Sequence, residues 1–408
     1  MAFAKAEKTF QASVETSKFV REDYKYMYAA KKEGKKTAWM TGITPVEMFE
    51  ATEIVSVFPE NYNAFASAKQ MGADLCQEAE MRGFSQDICS YGRLCLGYCL
   101  SGKGPYGSLP DPDILICTRN ACATHVKWWE AMSHIFKKPL FVLDIPEIHG
   151  VPTKAQTKYF MTQLEKLKEF IKETTGQTVK DDRLEEKVAL SQRTSELWSE
   201  LTEMRKKSPC PISSTDVFNQ MFLTVTKPAT KRANDILTQL VAEVKAYVDQ
   251  GKGVVEHERF RLMWDNIAIW YNLGLMNYLQ KAGAVSVIET YSSHCGWGKL
   301  MDMSQGPAHA LASKYMPGYL NLDLNSKVKL MQSLAKDFRL DGALLFSNRS
   351  CKPYSVGQYD IKIALEKVGV KSVMFEADMV DQRAYAEETI NNRLEAFLEM
   401  LENDKSAK

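Results

Sequence analysis

Short apolar runs of strand length, separated by helix-like segments, occur in two distant parts of this chain and restrict what it can fold into. The first third carries "TAWMTGI" (37–43), "EIVSVF" (53–58), "DILIC" (113–117) and "PLFVLDI" (139–145). The last third carries "VSVIETY" (285–291), "GALLF" (342–346) and "KSVMF" (371–375). Strands alternating with helices are the pattern of a parallel sheet covered by helices. With 408 residues the chain is too long for one ordinary domain and suffices for two or three.

The segment between the two groups reads as helical. Phe160, Leu164, Leu167 and Ile171 share one face of a helix over 153–175, with Pro152 before it and Gly176 as its stop. A second helix is expected over about 181–207, broken by "SPCPISSTD" (208–216), and a third from about 228 to 250. The expected fold is α/β: two Rossmann- or flavodoxin-like lobes with parallel sheets, plus a helical middle region. The N-terminal helix and first lobe are expected in 1–150, the mainly helical part in 151–282 and the second lobe in 283–408.

The two lobes share a local plan. "DILIC" leads through "TRNAC" (118–122) to a helical pattern and the strand "PLFVLDI"; "GALLF" leads through "SNRSC" (347–351) to another helical pattern and "KSVMF". Each is a β-loop-α-β unit with a cysteine, Cys122 or Cys351, just past the carboxyl end of its first strand, where open α/β sheets bind ligands. The parallel is about ten residues deep and suggests duplication.

Charge and hydropathy exclude some partners. Formal net charge is +1, so no global field draws the chain to nucleic acid or to an anionic membrane. No stretch approaches the roughly 20 apolar residues of a membrane span, and the charged N-terminal segment lacks a signal-peptide core. The expected location is therefore the cytoplasm, where nine cysteines are packing residues, redox thiols or metal ligands and not disulfides.

Free cysteines are among the most buried residue types, and Cys76, Cys117, Cys210 and Cys295 are read as core. Cys122 and Cys351 differ, because both stand in strand-to-helix loops, and Cys89 in "SQDICSYGR" (85–93) has a comparable polar setting. Three converging thiolates match the ligands of an iron–sulfur cluster, which normally takes four; a missing fourth leaves one iron open. Cys95 and Cys99, four apart and on one face if helical, are rivals to Cys89 for the third position. "GYCLSGKG" (97–104) falls short of a phosphate-binding loop, since Gly104 stands where a Ser or Thr should be. Trp128 and Trp129 read as the buried face of a helix, and His125 as a helix-capping or surface residue. Glu60, in "VFPEN" (57–61), follows a strand and can face the same crevice as Cys122, either as an exposed loop carboxylate or as a general base.

The stretches "FPEN" (58–61), "SQDICSYGR" (85–93), "DPDILICTRNAC…KWWE" (111–130), "SPCPISSTDVF" (208–218), "NRSCK" (348–352) and "EADMVDQR" (376–383) resemble the 2-hydroxyacyl-CoA dehydratase and class I benzoyl-CoA reductase family. They look most like its larger, substrate-binding subunit, from about residue 20 to the C-terminus. The resemblance implies one [4Fe-4S] cluster per chain on Cys89, Cys122 and Cys351, with one iron open to substrate or water, and leaves Cys95 and Cys99 structural. It implies a smaller homologous partner subunit, a separate ATP-hydrolysing iron–sulfur activator and an acyl-CoA substrate. In dehydratases of this type one injected electron makes a ketyl radical anion of the thioester, which expels the 2-hydroxyl group before a base removes the 3-proton. In the benzoyl branch two electrons stay in the aromatic ring.

Glu60 matches the family carboxylate and is expected to contact the substrate hydroxyl or move a proton. Thr41, in "WMTG" (39–42), stands where dehydratases often carry a serine pair, and is expected to supply a hydroxyl contact in its place. "ADMVDQR" has Met379 where dehydratases typically show glutamine, nearer the benzoyl pattern, whereas "NRSCK" points to dehydratases. The leading expectation is a 2-hydroxyacyl-CoA dehydratase subunit. Its rivals are a benzoyl-CoA reductase subunit, a non-CoA iron–sulfur electron-transfer protein using additional cysteines, and a metal-free structural subunit.

Overall fold

The computed structural model describes residues 10–407; residues 1–9, part of the segment read for a targeting signal, lie outside them. Two four-stranded parallel sheets organise the chain. The first contains β1 (Thr37–Met40), β2 (Val55–Val57), β3 (Ile114–Thr118) and β4 (Leu140–Leu143), in the order β2-β1-β3-β4. The second contains β5 (Phe260–Asp265), β6 (Ala284–Glu289), β7 (Gly342–Asn348) and β8 (Lys371–Ala377), in the order β6-β5-β7-β8. Each sheet therefore runs second, first, third, fourth in its own chain order. The chain reverses its direction of winding between the first and third strands, and the crevice at that reversal is the ligand position of open α/β sheets. Cys122 follows β3 and Cys351 follows β7, the third strand in both cases.

Every residue of β1, β2 and β3 is buried, because helices cover both faces of the sheet. Ala38, Met40, Ile114 and Ile116 point to one side and pack with Phe160, Leu164, Leu167 and Ile171 of the Lys154–Thr175 helix. Trp39, Leu115 and Cys117 point to the other and share a core with Trp128, Trp129 and the second sheet. The Lys154–Thr175 helix starts at a capping box between Thr153 and Gln156 and stops at Gly176, whose φ of 74° ends it.

Cys76, Cys117, Cys210 and Cys295 are all buried, as read from their surroundings in sequence. The second sheet begins earlier than expected. Its central strand β5, "FRLMWD", lies inside the segment read as mainly helical. Arg261 disguised it: this buried guanidinium donates to the carbonyls of Phe338, Lys207 and Arg205 and to Glu258, so a charge sits in a strand at every position of which the chain is buried. Among the described residues no helix is long and apolar enough to cross a membrane.

Candidate active site

Three cysteines occupy the same local position. Cys89 is the N-cap of the Ser90–Ser101 helix, Cys122 the N-cap of the Ala123–Phe136 helix, and Cys351 precedes the single turn Lys352–Ser355. Cys122 Sγ accepts the backbone N–H of His125 at 3.4 Å, as a capping oxygen would. The first amides of a helix have no partner within it and favour an anionic sulfur beside them.

The three sulfurs act on one another. Burial pushes the Cys89 thiol up to about 12, with the charge at Cys122 adding to it and the Gly92 and Tyr91 amides opposing it. Burial, then Cys89, then Cys122 hold Cys351 well above the usual thiol range. Like charges that oppose ionisation in this way are the donor set that a cationic group would stabilise, with release of protons as it binds. Among the described residues no three His, Cys, Asp or Glu side chains close tightly enough to grip a single metal ion. A cluster makes a different demand, one cysteine on each of several irons, and spaced thiols suit it.

A polar network ties two of the cysteine loops together. The Ser90 N–H donates to Ser350 Oγ at 3.1 Å, and the Ser90 and Ser350 hydroxyls meet at 3.0 Å. Ser350 Oγ donates in turn to Asp378 Oδ2, whose other oxygen accepts the N–H groups of Val380 (2.9 Å) and Asp381 (3.0 Å). Arg93 joins the Ile88 carbonyl to Asp381 (2.9 Å) and Glu80. The motif "EADMVDQR" thus braces the loops that carry Cys89 and Cys351.

Glu60 lies in the first turn of the Pro59–Ala68 helix, directly after β2. Its Oε2 accepts the N–H of Gly42 at 2.9 Å. A Cβ on Gly42 would come within 2.7 Å of that oxygen, so only glycine lets the amide approach. Glu60 Oε1 lies 2.8 Å from His125 Nε2, but no donor is well aligned on it, so this buried oxygen keeps acceptor capacity. Burial disfavours a charge on His125, yet the charges at Cys122 and Glu60 outweigh it and push its pKa up to about 9. This corrects the reading of His125 as a capping or surface residue: its half-buried imidazole packs against Glu60, and only its backbone caps. The signal was its place three residues after Cys122, on the first helical turn.

Thr41 is not brought to the crevice. It is fully buried, with its hydroxyl 3.0 Å from that of Thr44 and 3.3 Å from that of Thr118. Its contribution is to hold the loop that presents Gly42. Cys95 and Cys99 lie deeper along the Ser90–Ser101 helix, roughly 9 and 15 Å from Cys89 by helical rise. Burial, and then the neighbouring Cys95, hold the Cys99 thiol well above its usual range.

A cleft of about 630 Å³ opens beside Glu60. Tyr91 and Tyr291 line it; burial raises both hydroxyls, with Glu60, then Cys89 and Cys351, adding to Tyr91, and Tyr91, then Glu60, Cys295 and Cys351, adding to Tyr291. Trp270 donates its indole N–H to the Tyr91 hydroxyl, which leaves the phenolic proton free to turn to the cleft. Tyr91, Trp270 and Tyr291 were not singled out from sequence, where isolated aromatics read as core.

A family model for the 2-hydroxyglutaryl-CoA dehydratase D-component matches residues 41–401. The chain belongs to this family. The match takes in seven of the eight strands, all but β1, together with Glu60 and all three N-cap cysteines. Among curated relatives, the (R)-2-hydroxyisocaproyl-CoA dehydratase alpha subunit of Clostridioides difficile is 28% identical over 400 residues, covering 97% of each chain. The (R)-phenyllactyl-CoA dehydratase alpha subunit of Clostridium sporogenes is 27% identical over 382 residues, covering 93% of this chain and 92% of its own. A benzoyl-CoA reductase subunit of Thauera aromatica is 26% identical over 383 residues, covering 88% of this chain and 87% of its own. The D-component family thus includes relatives named for both chemistries that the sequence motifs suggest.

Proposed function

We propose that this chain is the substrate-binding subunit of a 2-hydroxyacyl-CoA dehydratase, which eliminates water from an (R)-2-hydroxyacyl-CoA to give the 2-enoyl-CoA. The observation that supports it is the approach of the loops carrying Cys89 and Cys351 through Ser90 and Ser350, with Cys122 acting on both thiols, and a cleft that Glu60 and Tyr91 line. Relatives named as dehydratase alpha subunits support the reaction and a second subunit as partner, which the reading takes to be smaller and homologous. The reading includes a cytoplasmic, oxygen-sensitive complex served by an ATP-hydrolysing iron–sulfur activator.

Cys89, Cys122 and Cys351 would hold one [4Fe-4S] cluster. When bound, it supplies one-electron chemistry and a Lewis-acidic iron with an open position. The chain's own residues do the rest. Glu60, held through Oε2 by the Gly42 N–H and paired through Oε1 with His125, is the carboxylate that accepts the proton leaving the substrate. Aromatic walls exclude water from the reacting group.

Anaerobic complex, activator and reductant supplied with 2-hydroxyacyl-CoA and with benzoyl-CoA test the reading: loss of water from the first supports it, and a cyclic diene from the second contradicts it. The benzoyl branch is the second reading. Met379, buried where dehydratases carry a polar glutamine, favours it.

A further inference from the structure

We propose that the cleft selects an uncharged, bulky apolar acyl group, of aromatic-ring or branched-chain size, over a short or carboxylate-ended one. This rests on the reading of the cleft as the acyl-CoA site and adds the class of acyl group. Phe65, Met71, Phe218, Met221, Trp270 and Leu273 form its walls, drawn from two helices and two loops. The Phe218 and Trp270 rings meet edge to face at 6.0 Å, a geometry that a third ring can extend. Met71 and Met221 adapt to irregular apolar shapes.

The charges decide the second half of the selection. Of the lining residues only Arg21, Glu60 and Lys69 are charged. Arg21 and Lys69 are exposed, and the Lys69 ammonium sits over the outward Phe65 ring at 5.7 Å. Among the described residues no buried cation lines the cleft to pair with a carboxylate at the far end of an acyl chain. Such a group would lose its water among apolar walls with no buried cation to pair with, which costs affinity. A methyl-sized acyl group would carry no such penalty, but it would leave most of the 630 Å³ and its aromatic walls unfilled.

The test is calorimetric titration of the anaerobic complex, with its partner subunit, using cinnamoyl-CoA, crotonyl-CoA, glutaconyl-CoA and free CoA. Cinnamoyl-CoA is expected to bind at least about tenfold more tightly than crotonyl-CoA, and glutaconyl-CoA no more tightly than CoA. Equal affinities, or preference for crotonyl- or glutaconyl-CoA, overturn the proposal while leaving the site reading intact. If no thioester binds more tightly than CoA, the site reading itself fails and takes the proposal with it. Ala64→Phe narrows the cleft from the Pro59–Ala68 helix. It is expected to weaken cinnamoyl-CoA by about tenfold or more and crotonyl-CoA little; equal weakening of both overturns the assignment.

Discussion

The hydroxyls of Ser90 and Ser350 meet at 3.0 Å although 260 positions separate them in the chain. Each is the immediate neighbour of a cysteine, so this contact sets the distance between Cys89 and Cys351. Ser350→Ala would leave the buried Asp378 without its side-chain donor, at an expected cost of about 1–3 kcal/mol. A denaturant melt should show that loss, and iron should leave the variant faster than the wild type when chelator is added. Unchanged melting and unchanged iron release would mean that the contact does not brace the site.

Gly42→Ala separates activity from stability. The new methyl would lie 2.7 Å from Glu60 Oε2 and must displace the carboxylate from the Gly42 amide. Turnover per folded enzyme should fall by about tenfold to a hundredfold, because small misplacements of a reacting group carry costs of that size. Stability should change by about 1 kcal/mol or less. Full activity in Gly42→Ala would remove Glu60 from the proposed chemistry.

Lys314 and Glu47 form an ion pair with no exposure on either side chain, completed by Ser191 and Tyr315. Burial pushes the Glu47 pKa up, but Lys314 and the hydrogen bonds outweigh it and hold it below the usual range. Lys314→Met strands that carboxylate and should cost about 3–5 kcal/mol. Adding Glu47→Gln should recover part of the loss in the same melt. Equal stability of Lys314→Met and wild type would show that the charge is not uncompensated.

Much of this arrangement was legible because parallel strands covered on both faces read as unbroken apolar runs, and seven of the eight stood out in that way. β5 did not, since the remaining donors of Arg261 are satisfied by carbonyls distant in sequence, which no local pattern reveals. Cys122 and Cys351 were legible from a repeated strand-to-helix plan. The pairing of His125 with Glu60 was not, because it joins the helix after β3 to the helix after β2. Thr41 misled for the opposite reason: its hydroxyl is near the crevice in sequence, but tertiary packing turns it to Thr44 and Thr118.

His294 gives a pH dependence of stability through a group other than the three N-cap cysteines. Burial pushes it down to about 4, and Lys299 adds to the effect. In the unfolded chain its pKa is about 6.5, so between those values the unfolded state binds a proton that the folded state refuses. The contribution is complete above pH 6.5 and is lost as pH falls towards 4, by up to about 3 kcal/mol. His294→Gln should flatten the stability profile across that window. Superimposable profiles would contradict a buried neutral imidazole.

The most direct measurement is the iron and acid-labile sulfide content of the anaerobically purified chain and its single cysteine variants. The account predicts about four of each per wild-type chain, loss of the intact cluster signal in Cys89→Ala, Cys122→Ala and Cys351→Ala, and wild-type content in Cys95→Ala and Cys99→Ala. Iron-free wild-type protein, or full cluster content in Cys351→Ala, would contradict it.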